Sequence, residues 1–204
     1  MIRIVFVVLF LNSCGNLPIT YIQNFSSVNS VVFGFPDYEV TEEIFNDYEN
    51  SFMKVRFGRG PHAILILAYE KDNVYEWIGA DSVKIYTLNG RIVKTVGLNS
   101  NIEILRPSDN IYLTSHVYET VNLFNPNLIS STIYRSMNSR EATIEKLGRK
   151  IQVNRIQESF DLDLIGWTGV NLYYRNTSSN QIESSEQRIH PWLPIAKIEY
   201  YFKY

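Results

Sequence analysis

Residues 76–98 read EWIGADSVKIYTLNGRIVKTVGL, and their pattern is a clear indication of β structure. Its centre is the dipeptide Asn89-Gly90. A two-residue turn of type I′ needs positive φ at both positions, which Asn tolerates and Gly adopts freely. Apolar and polar residues alternate on both sides of the dipeptide, so the stretch predicts a β-hairpin.

A two-residue turn also predicts which residues face one another across the hairpin. The pairs expected on one face are Leu88–Arg91, Tyr86–Val93 and Lys84–Thr95. The opposite face is mostly aliphatic and is expected to be buried; it carries Val83, Ile85, Thr87, Ile92 and Val96. The first face brings together the polar side chains of Lys84, Tyr86, Arg91 and Thr95.

The remainder of the chain also favours strands over helices. It has 204 residues, which suits one domain, and many short runs rich in Tyr, Ile and Val. Residues 63–69 form an apolar run expected as a central strand covered on both faces, and residues 197–204 alternate as a half-buried strand. One helical pattern starts at Thr41, a suitable N-cap, and keeps its apolar spacing to Val55. We therefore predict a mainly β fold, an antiparallel meander of roughly ten strands curled into a barrel or half-barrel, with one N-terminal helix.

Residues 1–13 have the pattern of a signal peptide. Arg3 supplies the positive charge, and residues 4–11 form an apolar segment too short to span a bilayer. Leu11-Asn12-Ser13-Cys14 then matches a bacterial lipobox, and Cys14 is the only cysteine. The sequence predicts cleavage before Cys14, acylation of that residue and a single domain over residues 15–204. The alternative is an ordinary signal peptide followed by a chance cysteine.

Two blocks of the chain resemble the YjbF/GfcB family of group 4 capsule lipoproteins. The first is Trp77 followed by the hairpin segment NGRIVKTVGL, residues 89–98, and the second is Ser185-Glu186-Gln187 with Pro191 and a last strand. The resemblance implies a lipoprotein on the periplasmic face of the bacterial outer membrane. It also implies a non-enzymatic role in the assembly or export of a capsular or extracellular polysaccharide, beside an outer-membrane barrel protein of the same pathway.

The polar face of the hairpin is a candidate surface for such a partner. Two cations, a phenol and a hydroxyl, from Lys84, Tyr86, Arg91 and Thr95, suit an acidic polysaccharide or an acidic patch on a protein. The alternative is a solvated sheet face with no ligand. Trp192 joins the candidates because Pro191 and Pro194 place it outside a regular strand, and exposed aromatic rings stack on sugars. Trp77, next to Ile78, is expected in the core.

Catalytic and metal-binding motifs are not found in the sequence. The histidines His62, His116 and His190 stand far apart and match no metal-ligand spacing, and there is no nucleophile elbow or phosphate loop. A net charge of −2 leaves no basic footprint for nucleic acid. We therefore predict no catalytic residue, no metal and no cofactor, with membrane contact through the acyl chains.

Three functions remain open from the sequence. The first is a non-enzymatic lipoprotein that assists polysaccharide assembly or export. The second is a periplasmic glycan-active enzyme, which would need paired carboxylates in a cleft. The third is a structural envelope protein without glycan contact.

The lipobox makes a direct prediction about acylation. Replacing Cys14 by Ser removes the thiol that receives the lipid, so Cys14→Ser should abolish incorporation of labelled fatty acid. The control is Asn12→Ala, which leaves the cysteine and places a more usual residue at position −2, and should label normally. A Cys14→Ser protein that still took up the label would contradict the lipoprotein assignment.

Overall fold

The computed structural model of the protein describes residues 35–37, 39–80, 82–108 and 116–203. Cys14 and the signal-peptide pattern of residues 1–13 lie outside these residues. Within the described ranges, a single α-helix precedes twelve strands, all in a compact unit that starts at Asp37. The bounds are α1 Glu42–Asp47, β1 Phe52–Phe57, β2 His62–Lys71, β3 Val74–Ile78, β4 Lys84–Leu88, β5 Arg91–Val96, β6 Asn101–Leu105, β7 Val117–Phe124, β8 Leu128–Lys146, β9 Arg149–Leu162, β10 Trp167–Asn176, β11 Ile182–Gln187 and β12 Ala196–Tyr201.

The strands form a closed antiparallel barrel. Each strand pairs with its neighbours in the chain, and β1 pairs with β12 to complete the wall. The predicted fold class is confirmed. The short connections explain the order, because antiparallel neighbours can be joined by tight turns.

The helix is shorter than its sequence pattern predicts. Thr41 caps α1 as expected, and its side chain accepts a hydrogen bond from the Ile44 amide at 3.3 Å. The pattern from Phe52 to Val55 is not helical, because this segment is β1 and pairs on both sides with β2 and β12. Phe52 stacks on Tyr201 under α1, so tertiary pairing overrides the helical spacing here.

The hairpin turn at residues 89–90 is of the predicted kind. Asn89 has φ +50° and Gly90 has φ +78°, both in the left-handed region that a type I′ turn requires. The pairs next to the turn, Leu88 with Arg91 and Thr87 with Ile92, are the predicted ones.

Beyond those two pairs the predicted register of the hairpin is wrong. A β-bulge makes Val93 an extra residue, so Tyr86 faces Lys94 and Lys84 faces Val96. Thr95 consequently faces Ile85 and lies inside the barrel. The polar face expected from Lys84, Tyr86, Arg91 and Thr95 does not exist: Lys84 and Tyr86 are outside and partly exposed, whereas Arg91 and Thr95 are buried.

The tip of this hairpin turns into the barrel. In the described ranges a single residue pair, Lys94 with Glu103, joins β5 to β6, so the first half of β5 is free to leave the wall. The Gly90 carbonyl accepts hydrogen bonds from the Gln187 side chain at 2.8 Å and the Tyr200 hydroxyl at 2.9 Å. These donors belong to β11 and β12, so the turn fills the lumen and contacts the far wall.

On one side of the turn the interior is apolar and aromatic. Trp77 is fully buried, as expected, and its indole N–H donates to the Thr87 hydroxyl at 2.9 Å. Its ring lies 5.7 Å from that of Tyr200 and 5.9 Å from that of Phe202. Burial of such large rings is the main apolar contribution to the core.

The β8–β9 hairpin is the longest among the described residues, and its tip lies against the outside of the barrel. Leu147 packs with Phe52 and Tyr201, and the Arg149 guanidinium forms an ion pair with Glu42 of α1. The Lys146 ammonium reaches the Glu183 carboxylate at 2.6 Å and also bonds the Tyr200 carbonyl. The tip thereby braces β11, β12 and the helix.

The buried turn predicts an unequal cost for the same substitution at two glycines. Gly90 and Gly148 both have positive φ, but a Cβ at Gly90 would lie 2.5 Å from Ile182 whereas a Cβ at Gly148 would meet nothing within 4 Å. We expect Gly148→Ala to cost about 1–2 kcal/mol of unfolding free energy from the backbone alone. Overpacking adds to this in Gly90→Ala, for a total of about 2–5 kcal/mol.

Urea denaturation of both variants measures the difference. Equal losses at the two positions would mean that the turn at Gly90 is not packed inside the barrel.

Candidate functional site

A charged cluster lies inside the barrel at the start of β5. The Arg91 guanidinium binds the Glu119 carboxylate through two bonds, Nη1–Oε1 at 3.1 Å and Nη2–Oε2 at 2.6 Å. Its Nε lies 3.8 Å from Oε1 of Glu158, and its carbon centre lies 4.0 Å from the centre of the Tyr134 ring. The side chains of the three ionic residues are at most 3% exposed. Such a cluster has been taken almost completely out of water.

Burial determines the protonation states in the cluster. Burial alone would lower the pKa of the Arg91 guanidinium, but Glu158, Tyr134 and Glu119 outweigh it and raise that pKa well above its usual value. Burial also raises the pKa of the Tyr134 hydroxyl to about 12. The arginine is therefore charged and the tyrosine neutral throughout the physiological range, and neither group is suited to exchange protons there.

Further hydrogen bonds extend the cluster to β9 and β10. The Oε2 atom of Glu158 accepts from the Asn171 amide at 2.8 Å and from the Tyr173 hydroxyl at 2.9 Å. The Ser108 backbone amide donates to Glu119 at 2.7 Å. Among the described residues Oε1 of Glu158 has no hydrogen-bond partner, and the Arg91 guanidinium at 3.8 Å balances its charge. The bonds that the two carboxylates do make hold several strands in one arrangement.

The two sequence blocks that carry the family resemblance meet at this point. Gln187 donates from its side chain to the Gly90 carbonyl and accepts from the Ile92 amide at 2.9 Å. It also donates to the Ser185 hydroxyl at 2.9 Å. The Ser-x-Gln block therefore clamps the hairpin turn from the opposite wall, which the sequence alone did not indicate.

The predicted surface residues fall into three separate places. Lys84 and Tyr86 lie outside, where both bond Glu76, at 2.7 Å and 3.1 Å. The hydrogen bond from Lys84 lowers the pKa of the Glu76 carboxyl. Thr95 is inside and bonds Asn101 and the Ile102 amide, each at 3.1 Å. Arg91 belongs to the buried cluster, so it and Thr95 are not exposed to a ligand in the closed barrel.

Trp192 is on the surface, with 64% of the residue exposed. Its backbone amide donates to Nδ1 of the buried His190 at 3.2 Å, and the two rings lie edge to face at 6.2 Å. Burial lowers the pKa of the His190 imidazole, which keeps this acceptor neutral. The Gly58 amide bonds the Ile195 carbonyl at 2.9 Å at the end of the same loop. These bonds fix the backbone of the loop, which carries an exposed indole.

Sequence reasoning missed both carboxylates of the cluster, although a signal for them was present. In β7, Glu119 has the same two-residue spacing as Val117, Val121 and Leu123, which places it on their face of the strand. In β9, Glu158 shares a face with Ile156 and Phe160 in the same way. A glutamate in register with an otherwise apolar inward face has to be paired if it is buried. The partner of Glu119 cannot be predicted from a local pattern, because Arg91 is 28 residues away in the sequence.

Within the residues described, no three His, Cys, Asp or Glu side chains are grouped as metal ligands would be. The helical residues in these ranges are also too few and too polar for a helix that crosses a bilayer.

Residues 25–200 match the family model described as group 4 capsule polysaccharide lipoprotein GfcB, YjbF. The chain belongs to the YjbF family. The segment that identifies it includes both the inward-turning hairpin and the Ser-x-Gln clamp.

Two curated relatives come from Escherichia coli (strain K12). The chain is 28% identical to the uncharacterized lipoprotein GfcB over 94 residues, which are 46% of this chain and 42% of the relative. It is 27% identical to the uncharacterized lipoprotein YjbF over 74 residues, which are 36% of this chain and 35% of the relative. The aligned segments thus span less than half the length of these relatives.

The barrel is also similar to a solved structure. The hypothetical lipoprotein YmcC from E. coli (K12) superposes with a TM-score of 0.72 over 93% of this chain and 98% of that one. The two sequences are 18% identical, so the likeness concerns the fold.

The buried cluster predicts a large stability effect at Arg91. Arg91→Ala leaves two buried carboxylates without their cation, and we expect a loss of about 3–5 kcal/mol of unfolding free energy. Arg91→Lys keeps the charge but not the two-point contact and should lose less, which provides a measurable variant if the alanine protein does not fold.

A matched control lies on the same strand. Lys94 pairs with Glu103 at 2.7 Å on the outside, with 42% and 29% of their side chains exposed. Lys94→Ala should cost under about 1 kcal/mol. Chemical denaturation giving similar losses for Arg91→Ala and Lys94→Ala would contradict the structural role assigned to the cluster.

Proposed function

We propose that this chain is an outer-membrane lipoprotein, anchored through Cys14 at the periplasmic face, that assists the assembly or export of a capsular or extracellular polysaccharide without catalysing a reaction. Its contribution is a binding surface that includes Trp192. The surface meets either the glycan or an outer-membrane barrel protein of the export system.

The family supports the pathway, since its description names a lipoprotein of a capsule polysaccharide. The single observation that supports a binding role is the exposed Trp192 on its fixed loop. An aromatic ring on a fixed backbone loses less conformational freedom when it stacks on a sugar or enters a partner's pocket.

The two acids buried inside the barrel, Glu119 and Glu158, are not placed to hydrolyse a glycan. A glycosidase needs two carboxylates that reach the scissile bond, one of them able to donate a proton. Glu119 and Glu158 are at most 2% exposed in their side chains, and Arg91 binds both. Their observed bonds serve the fold.

The proposal predicts that Trp192→Ala separates function from folding. The side chain is exposed, so its loss should change the unfolding free energy by under about 0.5 kcal/mol. In a strain that lacks the wild-type copy, we expect the variant to lower the amount of surface polysaccharide.

The control is Leu164→Ala, which truncates a residue that is 65% exposed in a different turn and should support normal export. Full export by a correctly folded Trp192→Ala protein would refute a role for this loop.

A further inference from the structure

A cavity of about 220 Å³ lies between the outer surface of the barrel and the tip of the β8–β9 hairpin. Its floor is formed by β10, β11 and β12, and its wall by residues 144–146 of the hairpin. Polar residues line it on three sides: Tyr174, Ser184 and Glu186 on the floor, Glu145 and Lys146 on the wall, and Lys197 at the side.

Strand register builds the floor from two parallel rows. Tyr174 faces Ser184, which in turn faces Glu199 across the next strand. In the adjacent row Glu186 faces Lys197. Side chains in these rows point outward, because the intervening residues, such as Tyr173 and Ser185, point into the barrel.

The wall is held in place by a single buried cation. The Lys146 ammonium bonds Glu183 at 2.6 Å and the Tyr200 carbonyl, and lies 4.6 Å from the centre of the Tyr201 ring. The cavity is therefore a built feature, with its wall tied to two strands of its floor.

Several polar groups in the cavity are available to a ligand. Among the described residues, Tyr174, Ser184 and Glu145 make no side-chain hydrogen bond or ion pair. Glu186 has a single ionic contact, with Lys197 at 3.7 Å, which is longer than a hydrogen bond. A ring, a hydroxyl and the Glu145 carboxylate thus line one small space without partners, and the Glu186 carboxylate has one long ionic contact.

Charge and size narrow the class of ligand. Four glutamates, Glu145, Glu183, Glu186 and Glu199, line the cavity with two lysines. A third lysine, Lys54, pairs with Glu199 at 2.7 Å, so the carboxylates exceed the cations by one and the cavity disfavours an anion. Carboxylates accept hydrogen bonds from hydroxyl and ammonium groups. The volume lies below the roughly 300–1,000 Å³ of pockets for drug-sized ligands, which suits one sugar ring rather than several.

We propose that this cavity binds one pyranose unit of a glycan, and that the unit is neutral or carries an amino group rather than a carboxylate. The Tyr174 ring stacks on the sugar, and Ser184, Glu145 and Glu186 bond its polar groups. The inference rests on the proposed role in polysaccharide assembly or export, and it specifies the sugar chemistry at a site distinct from Trp192.

The test uses saturation-transfer difference NMR on the full-length protein, with glucosamine, glucose and glucuronate as probes at millimolar concentration. We expect saturation transfer to glucosamine and glucose, and at least a ten-fold weaker affinity for glucuronate. Tyr174→Ala should weaken binding of the first two sugars about three- to ten-fold through loss of the ring. Glu186→Lys should reverse the order, so that glucuronate binds more tightly than glucosamine.

Two matched variants control for general effects. Tyr118→Ala removes an exposed tyrosine of β7, and Glu103→Lys reverses an outward glutamate of β6 that is paired with a lysine. Both should leave the ranking of the three sugars unchanged. Glucuronate binding as tight as glucosamine, transfer that survives Tyr174→Ala unchanged, or no transfer to any of the sugars would each overturn the inference.

The outcome is separable from that of the proposed function. If Trp192→Ala lowers export while the cavity binds none of the sugars, the proposed function stands and this inference fails. If the cavity binds as expected while Trp192→Ala exports normally, the failure is that of the Trp192 surface.

Discussion

The bidentate pair between Arg91 and Glu119 is the interaction on which the rest of the barrel depends. A guanidinium in an apolar interior costs several kcal/mol unless carboxylates and hydrogen bonds surround it. Glu119 and Glu158 supply the carboxylates, and Asn171 and Tyr173 supply donors to Glu158. Four strands, β5, β7, β9 and β10, therefore have to converge at one point, and the first residues of β5 have to leave the wall to reach it. The bulge at Val93, the left-handed turn at residues 89–90 and the clamp by Gln187 follow from that requirement.

This arrangement gives a structural role to the sequence blocks that identify the family. Arg91 and Gln187 are far apart in the sequence, yet they hold the same turn from two sides. Their chemistry, a charged fork and an amide that both donates and accepts, suits a buried polar contact as well as a binding surface. Arg91, Ser185 and Gln187 thus specify the inside of the barrel, whereas Glu186 and Trp192, which belongs to the loop after the second block, lie on its outside.

Much of the fold could be predicted from local patterns, whereas the site could not. Alternation indicated the antiparallel meander, Asn89-Gly90 the turn type, and Thr41 the start of the helix. Two predictions were wrong for a common reason: the helical spacing through Val55 and the register of the hairpin were both overridden by pairing with distant strands. A bulge residue such as Val93 cannot be recognised in a run of alternating residues, yet it moves Thr95 to the opposite face. Glu119 and Glu158 were missed because their partner becomes apparent only when the chain is folded.

Closure of the barrel has a consequence for how the protein associates. A strand in an open sheet leaves a row of unpaired amides and carbonyls to which another chain can add. Here β1 and β12 are joined through six residue pairs from Phe52 to Phe57, so the wall offers no such template at the point where the chain meets itself. At this seam, recognition passes through side chains and loops rather than by strand addition. Pairing of β1 with β12 also protects both strands from edge-to-edge aggregation.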